Sequence, residues 1–151
     1  MPTEKSEILV QFSCDCPDIN LDFDRFKTLI EQICRRFDTE QATISVAIVN
    51  DETIKKVNEK FLHTADTTDV ISFDLSDERQ NEKSYELVIN AEQALRQAKK
   101  LNLSIETELA LYITHGMLHN LGFNDADELQ SKKMHNMENQ ILQQTGFGII
   151  W

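Results

Sequence analysis

The sequence predicts an α+β fold, a small mixed β-sheet covered by helices, and three observations point to it. Strand-like, β-branched runs all lie before Ala91, with helical segments between them; from Ala91 onward helical periodicity dominates. The chain of 151 residues is the size of one domain, taken here as residues 1–151, and 40% of it is hydrophobic, enough for one ordinary core. Four glycines and two prolines leave few long flexible loops, and no repeat or linker interrupts the pattern.

The elements follow in order. Ile8 to Phe12 alternates weakly and reads as a first strand. From Asp22 to Phe37, the residues Phe23, Phe26, Ile30, Ile33 and Phe37 recur at helical spacing. Thr43 to Val49 is rich in β-branched residues and reads as a buried strand. Asn50 or Asp51 can cap the next helix, with Ile54, Val57 and Phe61 expected on its inner side. A polar turn from His63 to Asp69 leads into a short strand, Val70 to Phe73. The acidic loop Ser76 to Ser84 precedes another strand at Glu86 to Ile89. Ala91 to about Asn102 is helical. Ser104 then caps a helix that carries Leu109, Leu111, Ile113, Met117, Leu118 and Leu121 and stops at Gly122. Asp125 or Asp127 opens a last helix to about Gln144, and Gly146 to Trp151 is a tail.

Composition narrows the function classes. A net charge of −11 argues against broad, non-specific nucleic-acid binding, which rests on Lys and Arg neutralising phosphates, and no DNA partner is expected. Lys55, Lys56 and Lys60, and Arg96, Lys99 and Lys100, read first as solvated helix faces. No apolar run approaches the ~18 residues of a membrane span, so no membrane partner is expected. The polar start of the chain lacks the features of a signal or transit peptide, and a cytoplasmic location is expected. Cys14, Cys16 and Cys34 are odd in number; Cys14 and Cys16 have one residue between them, too few for a zinc knuckle, no second pair follows, and all three are read as reduced thiols.

The chemistry lies in the run from Thr114 to Asp125. His115 and His119, four apart on a helix, point the same way and can reach one metal ion. Gly122 ends the helix and turns the chain back, so that Asp125 can approach the same ion. Two His and one Asp leave a fourth position for water, the arrangement of a catalytic zinc site. The spacing is zincin-like, that of H-E-x-x-H-x-x-G-x-x-H. Gly116, however, stands where a metalloprotease has its general-base Glu, and Asp125 stands in place of the third His. The plainer alternative is that the two imidazoles bond to backbone or carboxylates on a buried face. His135 is kept as a reserve ligand. Met134 and Met137 read as packing, Glu138 as a solvated helix-face carboxylate, and His63 as an exposed loop histidine.

Two segments carry a resemblance to a known family. His115-Gly116-Met117-Leu118-His119-Asn120-Leu121-Gly122-Phe123 matches H-G-x-L-H-x-x-G-[YF] of the YbeY family of rRNA-maturation endoribonucleases. Asn58-Glu59-Lys60-Phe61 through Thr68-Asp69-Val70-Ile71-Ser72-Phe73 is similar to that family's N-x-x-[YF] … T-[DN]-V-[LI]-S-F, and Glu86 to Asn90 is a fainter third match. The resemblance implies one zinc ion per chain, a cleft for single-stranded RNA, and a role with the small ribosomal subunit in 16S rRNA 3′-end maturation and ribosome quality control. Asp125 stands where the family's third His would be. Leu62 stands where the family places an arginine near the metal, and Tyr85-Glu86 replaces its Gly-Asp. His63, Lys60 or a residue not readable from the sequence would then have to supply the missing positive charge, with His63 the candidate catalytic residue. Two further readings stay open: a zincin-type metalloprotease, and a non-catalytic ribosome assembly factor stabilised by its metal.

Overall fold

A computed structural model describes residues 7–16, 18–63, 67–77, 79 and 82–148. Part of the expected turn after His63 (64–66), part of the acidic loop (78, 80 and 81) and the end of the expected tail (149–151) lie outside the described residues. The elements run β1 (Glu7–Cys14), α1 (Phe23–Arg36), β2 (Gln41–Val49), α2 (Asp51–Leu62), β3 (Val70–Asp74), β4 (Lys83–Asn90), α3 (Ala91–Leu101), α4 (Ile105–Asn120) and α5 (Glu128–Gln144). Each predicted element is present, and the helix starts have readable causes. Asp22 caps α1 by accepting from Asp24 N, Asn50 caps α2 through Thr53 N, Ser104 caps α4 through Thr107 N, and Asp127 caps α5 through Gln130 N. β4 begins at Lys83, three residues before the expected Glu86, because it pairs with β2 from Ala42 onward.

The sheet is mixed, with strand order β1-β2-β4-β3. β1 and β4 run parallel to β2, and β3 closes one edge antiparallel to β4. Alternation along β2 sends Ala42, Ile44, Val46 and Ile48 to one face, where they join α1, α4 and α5 in the main core. The other face holds a smaller cluster of Val49, Ile54, Ile71 and Val88 beneath α2. Phe61 departs from expectation. It is 54% exposed, because its ring meets Phe73 of the edge strand β3 edge-on at 5.5 Å and no described element covers its other side.

Helix α4 is the centre of the molecule, buried on nearly every side from Glu108 to Leu118. Gly116 permits this. A Cβ there would lie 2.8 Å from Leu87 Cδ2 and 3.1 Å from Val70 Cγ2, so only glycine lets the helix rest this closely on β4 and β3. Position 116 therefore faces Leu87 and Val70, and any larger side chain there would have to displace their methyl groups.

Candidate functional site

Four residues at i, i+4, i+7 and i+11 on α4, Glu108, Tyr112, His115 and His119, form one stripe along a cleft of about 690 Å³. Asp69 and Val70 bound it at the start of β3, and α5 contributes His135 and Glu138. His115 Nε2 and His119 Nε2 lie 3.0 Å apart, and the two rings meet edge-on at 81°. Asp125 completes the group: one ligand atom from each of His115, His119 and Asp125 lies within 4.8 Å of the others.

Local structure explains how Asp125 arrives. Phe123 N donates to Leu118 O at 2.9 Å and Gly122 N to His119 O at 3.1 Å, the paired bonds of a helix stop with a left-handed glycine. Gly122 has φ +102°, which an L side chain rarely adopts. Asn124 Oδ1 then accepts from Ala126 N, and Asp127 is spent on the α5 cap, which leaves the Asp125 carboxylate available.

Glu138 corrects the sequence reading. It is wholly buried, and its Oε2 lies 3.2 Å from His115 Nδ1. The signal was the spacing Met134, Glu138, Ile141, which places the carboxylate on the buried face of α5. A carboxylate accepting from Nδ1–H fixes the tautomer of His115 and leaves Nε2 with its lone pair toward the cleft. Burial disfavours the imidazolium, but the Glu138 hydrogen bond and charge, helped by Asp69 and Asp125, outweigh it and hold the His115 pKa above its ordinary value. Acid therefore competes for this nitrogen earlier than for a free imidazole.

The donor set fits a divalent ion. Ligand nitrogens at ~2.0–2.1 Å from a tetrahedral ion sit about 3.4 Å apart, so the 3.0 Å separation needs to open only slightly. Glu138 Oε1 is buried with no hydrogen-bond partner among the described residues, a costly state for an anion that a neighbouring cation offsets. His115, His119 and Asp125 can hold the ion. His135 lines the same cleft but stands outside this group of three.

The other sequence candidates are placed differently. His63 is the exposed, left-handed C-cap of α2 (φ 58°) and is not among the cleft-lining residues. Lys60, beside it on α2, sets its ammonium 5.3 Å from the Phe61 ring centre. Asn90, which the faint third match included without giving it a role, is wholly buried. Its Nδ2 donates to Asp51 Oδ1 at 2.7 Å and to Thr68 O at 3.1 Å, which ties the Thr68–Asp69 wall of the cleft to α2 and α3.

A mixed four-stranded sheet under a central helix, with two histidines and a carboxylate converging beside it, defines an α+β protein with a candidate metal centre. Comparison with known proteins gives the family. The family model described as Endoribonuclease YbeY matches residues 11–146, and the chain belongs to that family. Relatives named Endoribonuclease YbeY include one from Caldicellulosiruptor bescii, 32% identical over 93% of this chain and 98% of its own. Another, from Finegoldia magna, is 30% identical over 92% and 95%, and one from Heliobacterium modesticaldum is 32% identical over 74% and 75%. The solution structure of TM1509 from Thermotoga maritima shares the fold, with a TM-score of 0.58 at 20% identity over 91% of each chain. Among the described residues, no helix is long and apolar enough to cross a membrane.

Proposed function

We propose that this protein is a zinc-dependent endoribonuclease for single-stranded RNA, acting on the small-subunit rRNA precursor in 16S 3′-end maturation and ribosome quality control. The observation that carries the reading is the convergence of His115, His119 and Asp125 in a cleft, in a chain of the Endoribonuclease YbeY family. When bound, zinc supplies Lewis-acid polarisation of a phosphoryl oxygen and acidifies a water molecule. The residues do the rest. Glu138 holds the proton on His115 Nδ1, Asn90 fixes the Thr68–Asp69 wall, and Val70 and Leu111 keep part of the cleft apolar.

Asp69, Glu108, Asp125 and Glu138 make the cleft rich in carboxylates, so a polyanion gains little there without a bound cation. RNA binding in the cleft and zinc binding are therefore linked in this proposal. His63 stands in it as the residue that meets the RNA backbone in place of the family arginine, whose own position is Leu62 here. A protease is disfavoured by Gly116, whose position faces Leu87 and Val70. The experiment is cleavage of a single-stranded RNA oligonucleotide against its duplex, with and without chelator, beside a casein substrate. Single-strand cleavage abolished by chelation is expected. An inert protein that still binds ribosomal subunits would replace this reading with that of an assembly factor.

A further inference from the structure

Two helical turns before His115, about 10.5 Å along the axis, the cleft holds a group that metal chemistry leaves unused. Glu108 is only 2% exposed, and its Oε1 is buried with no hydrogen-bond partner among the described residues. Tyr112, one turn on along the same stripe, lines the cleft beside it. An acceptor kept out of water without a donor is costly, and a ligand that brings donors recovers that cost.

The surroundings describe the ligand. Gln93 and Gln97 from α3 line the same cleft. Arg96 Nη2 donates to Gln93 Oε1 at 2.7 Å, which occupies the amide oxygen and leaves the NH₂ as the end free to donate. Leu101 and Leu111 supply apolar wall. The cleft thus offers a buried acceptor two turns of α4 from the histidines, with amide donors and apolar surfaces in the same lining.

We infer that Glu108, Gln93 and Gln97 form a nucleobase subsite that selects guanine, resting on the reading of this cleft as an RNA site. Guanine alone among the four bases presents two adjacent donors, N1–H and the N2 amine, next to an acceptor, O6. The donors meet Glu108 and the acceptor meets a glutamine NH₂. Uracil places carbonyl oxygens on both sides of its N3–H, against the carboxylate. Adenine and cytosine each offer an amine beside an unprotonated ring nitrogen, which the carboxylate repels. With a phosphate at the histidines, the subsite takes the base of a neighbouring nucleotide.

The test is titration of the full-length protein with GMP, AMP, CMP and UMP, followed by amide NMR shifts and given as Kd. The phosphate is common to all four, so their differences report the base. GMP is expected to bind about tenfold tighter than the others, the discrimination of one good bidentate contact. E108Q, which keeps the shape but turns an NH₂ toward the base donors, is expected to reduce that preference to less than about twofold at unchanged metal content. If E108Q melts well below the wild type, the Gln93→Ala/Gln97→Ala pair on a partly exposed face of α3 carries the test by the same criterion. Equal binding of the four nucleotides, no saturable GMP binding in the millimolar range, or a guanine preference retained in a folded variant overturns the subsite. Guanine-selective binding in a protein that cleaves no RNA supports the subsite and sinks the nuclease reading. Cleavage of RNA with no base preference in binding does the reverse.

Discussion

Glu138 Oε2 and His115 Nδ1, from α5 and α4, lie 3.2 Å apart around a carboxylate with no solvent exposure. The contact joins the last helix to the central one at the point where the proposed metal ligand His115 is held. Glu138→Gln keeps the volume but can turn a donor toward Nδ1, which releases the tautomer. Metal affinity, read by competition with a chromogenic chelator, is expected to fall about 10- to 100-fold. Wild-type affinity in this variant would make Glu138 a packing residue only.

Asp125 and Asp127 are two residues apart and have opposite predicted phenotypes. Asp125→Ala is expected to lower metal affinity strongly with little change in the melting temperature of the metal-free protein, since the side chain is exposed. Asp127→Ala removes the α5 cap and is expected to cost about 1 kcal/mol of stability with metal affinity nearly unchanged. Asp125→His should keep the site. Equal losses of metal in both alanine variants would point to His135 or to water as the third ligand.

Much of this was legible in the sequence, because it depends on short spacings. The pair His115 and His119, the stop at Gly122 and the approach of Asp125 all follow from helix geometry within eleven residues. What could not be read depends on contacts distant in sequence. Glu138 is polar by composition and buried by position, and only the docking of α5 on α4 makes its carboxylate a partner of His115. Phe61 fits an apolar helical stripe, yet β3 is an edge strand and leaves it half outside. Gly116 was notable in the sequence as a missing glutamate; its physical cause is the close approach of Leu87 and Val70.

The pH dependence of folding is expected to carry a mark from Asp51. Arg96 donates two hydrogen bonds to its carboxylate at 2.7 and 2.9 Å, which holds the Asp51 pKa below its ordinary value, with Asn90 adding to the effect. A depressed folded pKa contributes stability above the unfolded pKa and loses it as pH falls through the folded one. Urea unfolding of wild type against Asp51→Asn should therefore show a constant advantage of about 0.5–1 kcal/mol near neutrality that shrinks below about pH 4. An advantage that grows on acidification would contradict the assignment.

His63→Ala tests the proposed substitute for the family arginine. An exposed C-cap contributes little to the core, so the unfolding free energy should change by less than about 0.5 kcal/mol. RNA cleavage is expected to fall several-fold, more at low salt than at high salt. An unchanged rate would remove His63 from the mechanism and leave the metal site intact.

We propose that His115, His119 and Asp125 hold one catalytic zinc ion. The most direct test is elemental analysis of protein purified without chelator or added metal, run in parallel on wild type and His115→Ala. About one zinc per wild-type chain is expected, and less than about a tenth of that in a variant that still folds. Wild type with no stoichiometric metal in repeated preparations, or His115→Ala with a full complement, would contradict it.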